Sequence, residues 1–303
     1  MNIKILESKD HEKWNEFCYK NTWFWHTTHW IKYLLNSKYD TIIVNHSFFT
    51  EQNNKIQGIV LLIQFDDEFY SPGFEDNKKI LEYIKELAIK NNIKKISVDS
   101  DIKSYLNTSK YTCILDLNNI NPTKGHKAAI KKAHKYLTFE TENNLLIFMG
   151  DYFDIAGKVT RPSKTFFLLE QWIKKGYGTL LKAKYKNDTA GYIYILHYKD
   201  YAYYFMSASY PQFAQLNVGH YLQSVAFELL KNKGIKHYEV GEQVYNGLIY
   251  QPTEKELNIS KFKRGFGGNI ILKPASEYYF DKDLFKETYL NRINNYMERE
   301  YEK

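Results

Sequence analysis

The chain is poor in cysteine and has no long apolar run. Its 303 residues include two cysteines, Cys18 and Cys113, which disfavours a disulfide framework or a zinc cluster. The longest apolar run, 58–63, is far shorter than the roughly 20 residues that a membrane span needs. The opening residues, MNIKILESKDHEKW, lack the apolar core of a signal peptide. We therefore expect a cytoplasmic protein with no segment inserted in a membrane.

Several catalytic signatures are also missing. The nine histidines form no HExxH motif or other paired metal spacing. No Gly-x-Ser-x-Gly elbow and no P-loop occur. Neither cysteine lies in a nucleophile motif, so both are expected to be buried thiols. The sequence thus gives no support to a metal enzyme, a serine or cysteine hydrolase or a P-loop nucleotidase, and no metal is expected.

Aromatic and basic residues, by contrast, are abundant. The chain has 27 tyrosines and 19 phenylalanines, and its formal net charge is +7. Tyrosine rings line pockets for flat or sugar ligands, but they serve equally well in a core. The positive charge is concentrated at Lys124, Lys127, Lys131, Lys132 and Lys135. This balance suits an anionic small substrate such as a nucleotide or coenzyme A, and it also suits RNA.

The order of the predicted elements is repeated in the two halves of the chain. In the first half, apolar periodicity and turn residues predict helices at 10–19, 28–35 and 77–90 and strands at 41–44, 55–64, 68–71 and 94–98. In the second half they predict helices at 145–159, 163–175 and 219–231 and strands at 179–185, 189–197, 201–207 and 237–240. A last helix is predicted at 281–300. Both halves read helix, helix, antiparallel strands, helix, strand, which indicates a duplicated unit.

The duplication predicts an α/β (α+β) chain of two tandem domains with mixed, mainly antiparallel sheets. We place the first domain at 1–120 and the second at 121–303. A basic connector helix is predicted within 124–136, at the start of the second domain.

A helix start in the second half is a candidate phosphate site. A helix N-terminus offers unpaired N–H groups and the positive end of its dipole. The run Gln215-Leu-Asn217-Val-Gly219-His-Tyr221 lies at such a start and resembles the acetyltransferase (GNAT) loop that holds the coenzyme A pyrophosphate. The resemblance implies cofactor-binding roles for Gln215, Asn217, Gly219 and Tyr221. Tyr221 stands where that loop has a second small residue, and a plain helix cap is the alternative.

A second candidate anion site lies nearer the C-terminus. The run 262–268 places Lys263 and Arg264 between two phenylalanine rings and beside a glycine-rich backbone. Two cations on so flexible a stretch suit an anion or an oxyanion. The alternative is a solvated turn of an edge strand.

Several segments together resemble the Fem-type nonribosomal peptidyl transferases and related two-domain GNAT-like proteins. The matching segments are Tyr238 to Gly241 with Phe262 to Phe266, Thr160 to Pro162, Trp30 with Lys32, and Asp99. Their order and spacing cover nearly the whole chain. The resemblance implies two tandem GNAT-like domains.

The resemblance also implies a role for each matched residue. Arg161 would contact a diphosphate of the acceptor, and a capping role at the following helix is the alternative. Asp99 would take the proton of the amine, and a turn-forming role is the alternative. Two further candidates come from the chemistry of the step and not from the resemblance. Lys263 is a candidate to stabilise the oxyanion, with backbone N–H groups beside the second-domain strands as the alternative, and His220 is a second candidate base because it lies at the predicted donor helix. The remaining matches, Trp30, Lys32 and Tyr238, would contact the substrate.

The predicted function is acyl transfer to an amine. Larger Fem-type proteins carry a coiled-coil arm that grips tRNA, and this chain has no long heptad run. We therefore expect an N-acyltransferase that moves an acyl group from acyl-CoA to the amine of a nucleotide-diphosphate-linked amino sugar. Its product would enter a cell-surface polysaccharide such as lipopolysaccharide or capsule. The alternatives are an aminoacyl-tRNA-dependent peptidyl transferase acting on a peptidoglycan precursor, with tRNA as its nucleic-acid partner, and a binding module without catalysis.

Overall fold

The computed structural model describes residues 2–248 and 252–301, and the chain divides into two compact units. The first unit comprises Met1–Tyr111, Val244–Lys255 and Leu272–Lys303. The second comprises Thr112–Gln243 and Glu256–Ile271. This division differs from the predicted boundary at residue 120, because β16, at 276–279, pairs with β7 of the first unit.

The elements are numbered in chain order. The strands are β1 (Asn2–Ile5), β2 (Ile43–Asn45), β3 (Phe48–Gln52), β4 (Lys55–Val60), β5 (Ile63–Phe65), β6 (Glu68–Ser71), β7 (Lys95–Val98), β8 (Leu106–Asn107), β9 (Lys110–Asp116), β10 (Leu137–Thr141), β11 (Gly178–Tyr185), β12 (Asp188–Tyr198), β13 (Tyr201–Ser209), β14 (His237–Gln243), β15 (Asn269–Lys273) and β16 (Ser276–Tyr279). The helices are α1 (His11–Asn21), α2 (Thr28–Leu34), α3 (Lys78–Lys90), α4 (Lys124–Ala133), α5 (Leu145–Ala156), α6 (Ser163–Lys174), α7 (Val218–Asn232), α8 (Glu254–Arg264) and α9 (Lys282–Tyr301).

The first unit contains two sheets, with strand orders β1-β3-β4 and β2-β5-β6-β7-β16-β8. In the larger sheet β6 and β7 run parallel, and α3 connects them. Ile80, Ile84 and Ala88 are buried at every fourth position of α3, so one face of this helix packs on the sheet. The Asn77 side chain accepts a hydrogen bond from a backbone N–H of the first turn and caps the helix. The carboxyl ends of β6 and β7 therefore lie side by side.

The second unit is built on a seven-stranded sheet with the order β10-β11-β12-β13-β14-β9-β15. Strands β10 to β13 are antiparallel, whereas β13 and β14 run parallel and are connected by α7. Leu222, Ala226 and Leu230 of α7 are buried against this sheet. The register between β12 and β13 shifts at Phe205, which is an extra residue and forms a β-bulge.

Most predicted helices and strands begin and end within two residues of the observed ones. Glu51 pairs in β3, and the chain reverses at Asn53 and Asn54, which both have positive φ. Strand β3 was not predicted because four of its five residues are buried and show no alternation. Helix α8 was not predicted either. Residues 262–264, expected in a flexible stretch, form its last turn.

Candidate functional site

The parallel strands β13 and β14 are paired over only part of their length. The ladder joins Tyr201 to Tyr203 with His237 to Glu239, and no further pair joins the two strands within the described residues. The bulge at Phe205 lies just beyond the last pair and bends β13. The ladder is therefore open at this end of the sheet, where a bound group can pair with backbone atoms.

Lys263 lies beside the open end of this ladder. Its Nζ is 3.0 Å from the point where a Cβ on Gly241 would stand, and the Tyr203 hydroxyl is 3.4 Å from the same point. Burial lowers the pKa of Lys263, while the carboxylates of Glu242 and Glu239 oppose that shift. The amine is thus a partly desolvated cation at the end of β14, placed to donate to an oxygen that gains negative charge.

Glu239 is a buried carboxylate on β14, and it was not among the predicted site residues. It accepts hydrogen bonds from Thr112 Oγ1 at 2.7 Å and from the Tyr201 hydroxyl at 2.9 Å. Burial and the charge of Glu239 raise the pKa of Tyr201, which keeps that hydroxyl a donor. Two donors therefore fix the Glu239 side chain in place. A Tyr-Glu-x-Gly run in sequence gives no sign of which face its glutamate occupies.

The glycine-rich run after Lys263 is held by close packing, which corrects the expectation of a flexible anion loop. A Cβ on Gly267 would overlap the backbone carbonyl of Asn121, and φ at Gly267 is +85°. A Cβ on Gly268 would lie 2.7 Å from Cys113 Sγ. The backbone N–H of Thr123 also donates to the carbonyl of Gly265 at 2.9 Å. The glycines permit this approach of two backbones, and the packing fixes the end of α8 that carries Lys263.

The start of α7, the predicted donor-phosphate site, is covered on one side by Phe262. The Phe262 ring lies 3.3 Å from the point where a Cβ on Gly219 would stand, and it contacts the His220 ring edge-on. His126 donates from Nε2 to the carbonyl of Phe262 at 2.9 Å. Burial and the neighbouring His126 lower the pKa of His220 to about 4, so its imidazole is neutral at pH 7. Asn217, the residue before the helix, is in the left-handed conformation with φ +57°.

Two predicted contact residues are core residues in the structure. Tyr221 is buried in the main hydrophobic cluster of the second unit, and its ring packs edge-on against His134. Tyr238 is fully buried in the same cluster and contacts Phe227. Both side chains face the layer between α7 and the sheet, so they support the strands and do not present a surface to a ligand. Gln215, in contrast, is exposed in the 3₁₀ turn before α7.

Arg161 lies next to β13 in the second unit. Its Nη1 is 3.6 Å from Met206 Sδ, and its Nη2 donates to the Tyr152 hydroxyl at 3.4 Å. The guanidinium also lies over the Tyr152 ring, with its carbon 5.5 Å from the ring centroid. Met206 is one residue past the bulge in β13. The structure therefore places Arg161 beside the bulge in β13.

A pocket of about 460 Å³ lies in the first unit at the carboxyl ends of β6 and β7. Asp99 lines it and accepts a hydrogen bond from the Tyr70 hydroxyl at 2.9 Å. His26 lines it as well, donating from Nε2 to the Gly73 carbonyl at 3.2 Å. Burial lowers the pKa of His26 to about 4, so the imidazole is neutral. Asp99 was predicted here, whereas Tyr70 and His26 were not.

Trp30 and Lys32, on α2, have different surroundings. The Trp30 ring stacks on Tyr33 with a centroid distance of 5.0 Å and meets Trp25 edge-on. Lys32 is exposed. No group of three or more potential metal ligands occurs in the part of the chain that the structure describes. None of the helices formed by the described residues is both long enough and apolar enough to span a bilayer.

Part of the chain matches a known protein family. Residues 159–247 match the acetyltransferase (GNAT) domain family. This segment contains Arg161, the bulged β13, α7 and the open ladder to β14. No curated protein sequence matches the chain.

Several solved structures share the fold across the whole chain. A FemX crystal structure is 13% identical with a TM-score of 0.68, and the match covers 95% of this chain and 99% of that one. The C-terminal domain of a putative lysylphosphatidylglycerol synthetase from Agrobacterium fabrum is 10% identical with a TM-score of 0.65, covering 94% and 96%. A tandem GNAT protein from the clavulanic acid biosynthesis pathway is 9% identical with a TM-score of 0.55, covering 92% and 98%. The chain thus has the fold of tandem GNAT-like domains, and the predicted fold class is confirmed.

Proposed function

We propose that the chain is an N-acyltransferase whose donor carbonyl binds at the open end of the β13–β14 ladder. The observation that carries this proposal is the position of the Lys263 amine beside Gly241, where the two strands part. The match of residues 159–247 to an acetyltransferase domain supports acyl transfer in general. The tandem GNAT protein of similar fold is described as "without AcCoA", which implies that AcCoA is a ligand of that protein. This supports an acyl-CoA donor here.

The proposed step forms an amide and releases a thiol. The neutral amine of the acceptor attacks the thioester carbonyl carbon, a C–N bond forms, and the carbonyl oxygen gains negative charge. Lys263 donates to that oxygen. The C–S bond then breaks, the amine proton passes to a base, and the thiolate leaves and is protonated. The neutral imidazole of His220, which lies in the same unit as Lys263, is the proposed base.

The proposed acceptor is a nucleotide-diphosphate-linked amino sugar. Arg161 is assigned to its diphosphate because a guanidinium binds phosphate oxygens with paired, charge-assisted hydrogen bonds.

Arg161→Ala is expected to lower kcat/KM for the acceptor by about 10- to 100-fold, the ~1.5–3 kcal/mol of a charged hydrogen bond. The KM for acyl-CoA should stay within a few-fold, because Arg161 is assigned to the other ligand. Steady-state kinetics with each substrate varied in turn measures both effects. Arg161→Lys, which keeps the charge and loses the paired geometry, should have an intermediate effect. A loss confined to the donor KM would reverse the assignment of the two ligands.

An aminoacyl-tRNA donor is a second candidate, favoured by the position of Phe262. Its ring lies against Gly219 and covers one side of the helix start that would otherwise take the phosphates of coenzyme A. An aminoacyl ester can react at the same open ladder without using the start of α7. Its terminal base can stack on an aromatic ring, and Phe262 provides one.

Phe262→Ala distinguishes the two donors because it should change the donor KM in opposite directions. With acyl-CoA, removing the ring uncovers the start of α7 and should lower the donor KM by about 2- to 5-fold, the ~0.3–1 kcal/mol of a helix dipole. With aminoacyl-tRNA, loss of stacking should raise the donor KM by about 10-fold. Phe167→Ala removes an exposed ring from α6 of the same unit and is the matched control. An unchanged KM for both donors would show that the start of α7 takes no part in donor binding.

The reaction itself is tested by following thiol release from several acyl-CoAs with thymidine- and uridine-diphosphate amino sugars. Mass spectrometry of the acylated product identifies the new amide. Turnover with any pair supports the proposal. No turnover, together with transfer from a charged tRNA, would establish the second candidate. Binding of an amino sugar nucleotide without turnover of either donor would indicate a binding module.

A further inference from the structure

The basic residues around α4 form an exposed surface on the second unit. Lys124, Lys127 and Lys131 are spaced i, i+3 and i+7, so they share one side of the helix, opposite the buried Ala133. Lys132 and Lys135 extend the same surface. All five side chains are exposed. These five lysines are called the α4 face.

The charge of the α4 face is not balanced by nearby acids. No aspartate or glutamate occurs between Asp116 and Glu140 in the sequence. Glu140 itself forms ion pairs with Lys182 and Lys184. Among the described residues, no lysine of the α4 face lies within ion-pair distance of a carboxylate. The surface therefore has a net positive charge that a polyanion can neutralise.

An apolar groove of about 670 Å³ adjoins the α4 face. Ile130 of α4, Phe139 of β10, and Val225 and Leu229 of α7 line it. The Phe139 ring is 48% exposed, and Tyr136, between α4 and β10, is 50% exposed. Large apolar rings in water next to lysines form an amphipathic surface, with apolar side chains beside charged groups.

The groove also contains a cation, Lys233. Lys233 lines the groove, and its Nζ is 3.0 Å from Thr179 Oγ1 and 3.4 Å from His197 Nε2. Burial and the charge of Lys233 lower the pKa of His197 to about 4, so His197 is neutral. Glu228 also lines the groove and is its acidic member. The groove thus combines an apolar wall with a lysine whose two hydrogen-bonding partners are uncharged.

We infer that the α4 face and the adjoining groove dock on the surface of an anionic lipid bilayer. The lysines would meet the phosphates of the headgroups, and Tyr136 and Phe139 would enter the boundary between headgroups and acyl chains. The groove would receive part of an acyl chain. RNA would also neutralise the lysines, but it makes no use of an apolar groove. The basic side chains here are all lysines, which lack the paired donors with which arginine reads nucleic acid.

The test is co-sedimentation of the full chain with vesicles. Binding is expected to vesicles of equimolar phosphatidylcholine and phosphatidylglycerol, and not to vesicles of phosphatidylcholine alone. Each lysine near an anionic surface raises the partition coefficient onto the membrane by about 5-fold. The triple variant Lys124→Gln/Lys127→Gln/Lys131→Gln should therefore bind about 100-fold more weakly. Lys78→Gln/Lys79→Gln/Lys90→Gln removes three exposed lysines from α3 of the other unit and should bind as the unchanged chain does.

Two further results would overturn the inference. Equal losses in the two triple variants would show that binding follows net charge and not the α4 face. Tyr136→Ser/Phe139→Ser keeps every lysine and is expected to weaken vesicle binding without weakening binding to polyuridylic acid. If the unchanged chain binds polyuridylic acid more tightly than the anionic vesicles, and the α4 triple variant loses that binding, the surface is a site for RNA.

Discussion

Lys263→Met is expected to lower kcat by about 100-fold or more, with smaller changes in the KM of either substrate. Removing one donor from an oxyanion site costs on the order of 2.7 kcal/mol or more in the transition state. The benefit of such a donor belongs to the transition state because the charge on the oxygen develops only there. Met keeps the length and apolar volume of the lysine stem, so the end of α8 should stay packed.

The pH dependence of kcat is the second measurement on Lys263. The amine donates to the oxyanion only when it is protonated. Burial lowers its pKa, so activity should fall on the alkaline side at a pH below the ordinary pKa of lysine. The glutamates Glu239 and Glu242 oppose this shift, and Glu239→Gln should therefore move the alkaline limb to lower pH. In Lys263→Met that limb should disappear.

Lys261→Met is the matched control for this experiment. Lys261 is on the same helix, two residues earlier, and its side chain is exposed. The control should keep kcat within a few-fold of the unchanged enzyme. If Lys263→Met also keeps kcat within a few-fold and lowers only the thermal stability, Lys263 is a structural residue and the proposed oxyanion role is wrong.

The sequence predicted the repeated α/β order because each half contains a strongly periodic helix between two strands. Helix α3 is an example, with Ile80, Ile84 and Ala88 buried along one face. The strands at the sheet edges were harder to predict. Strand β15 is exposed along nearly its whole length, so it lacks the alternation that indicates a half-buried strand.

The candidate site was predicted only in part, for reasons of local geometry. A short motif predicted Lys263 as a site residue, and in the structure Lys263 lies at the open end of the β13–β14 ladder. Tyr203 and Glu239 could not be predicted as site residues. The face of β13 or β14 that a side chain occupies depends on strand register and on the bulge at Phe205. Tyr238 alternates with Glu239 along β14, and the register puts the tyrosine in the core.

Gly267→Ala is expected to destabilise the second unit by about 2–4 kcal/mol, through backbone strain and a steric clash. The residue has φ +85°, and its Cβ would overlap the carbonyl of Asn121, which is backbone and cannot rotate away. The corresponding fall in melting temperature is about 5–15 °C for a unit of this size. Differential scanning calorimetry measures it.

Gly234→Ala separates the two causes of this loss. Gly234 has a similar φ of +79°, but nothing lies within 4 Å of the point where its Cβ would stand. Its substitution should therefore cost only the ~1 kcal/mol of a left-handed backbone conformation. Equal losses at the two positions would show that the close approach of Asn121 is not required. We expect a larger loss of stability in Gly267→Ala than in Gly234→Ala. We also expect kcat of Gly267→Ala to fall at temperatures where the variant is still folded, because Asn121 and the glycine run fix the end of α8. Lys263 would then keep its charge but lose its position beside Gly241.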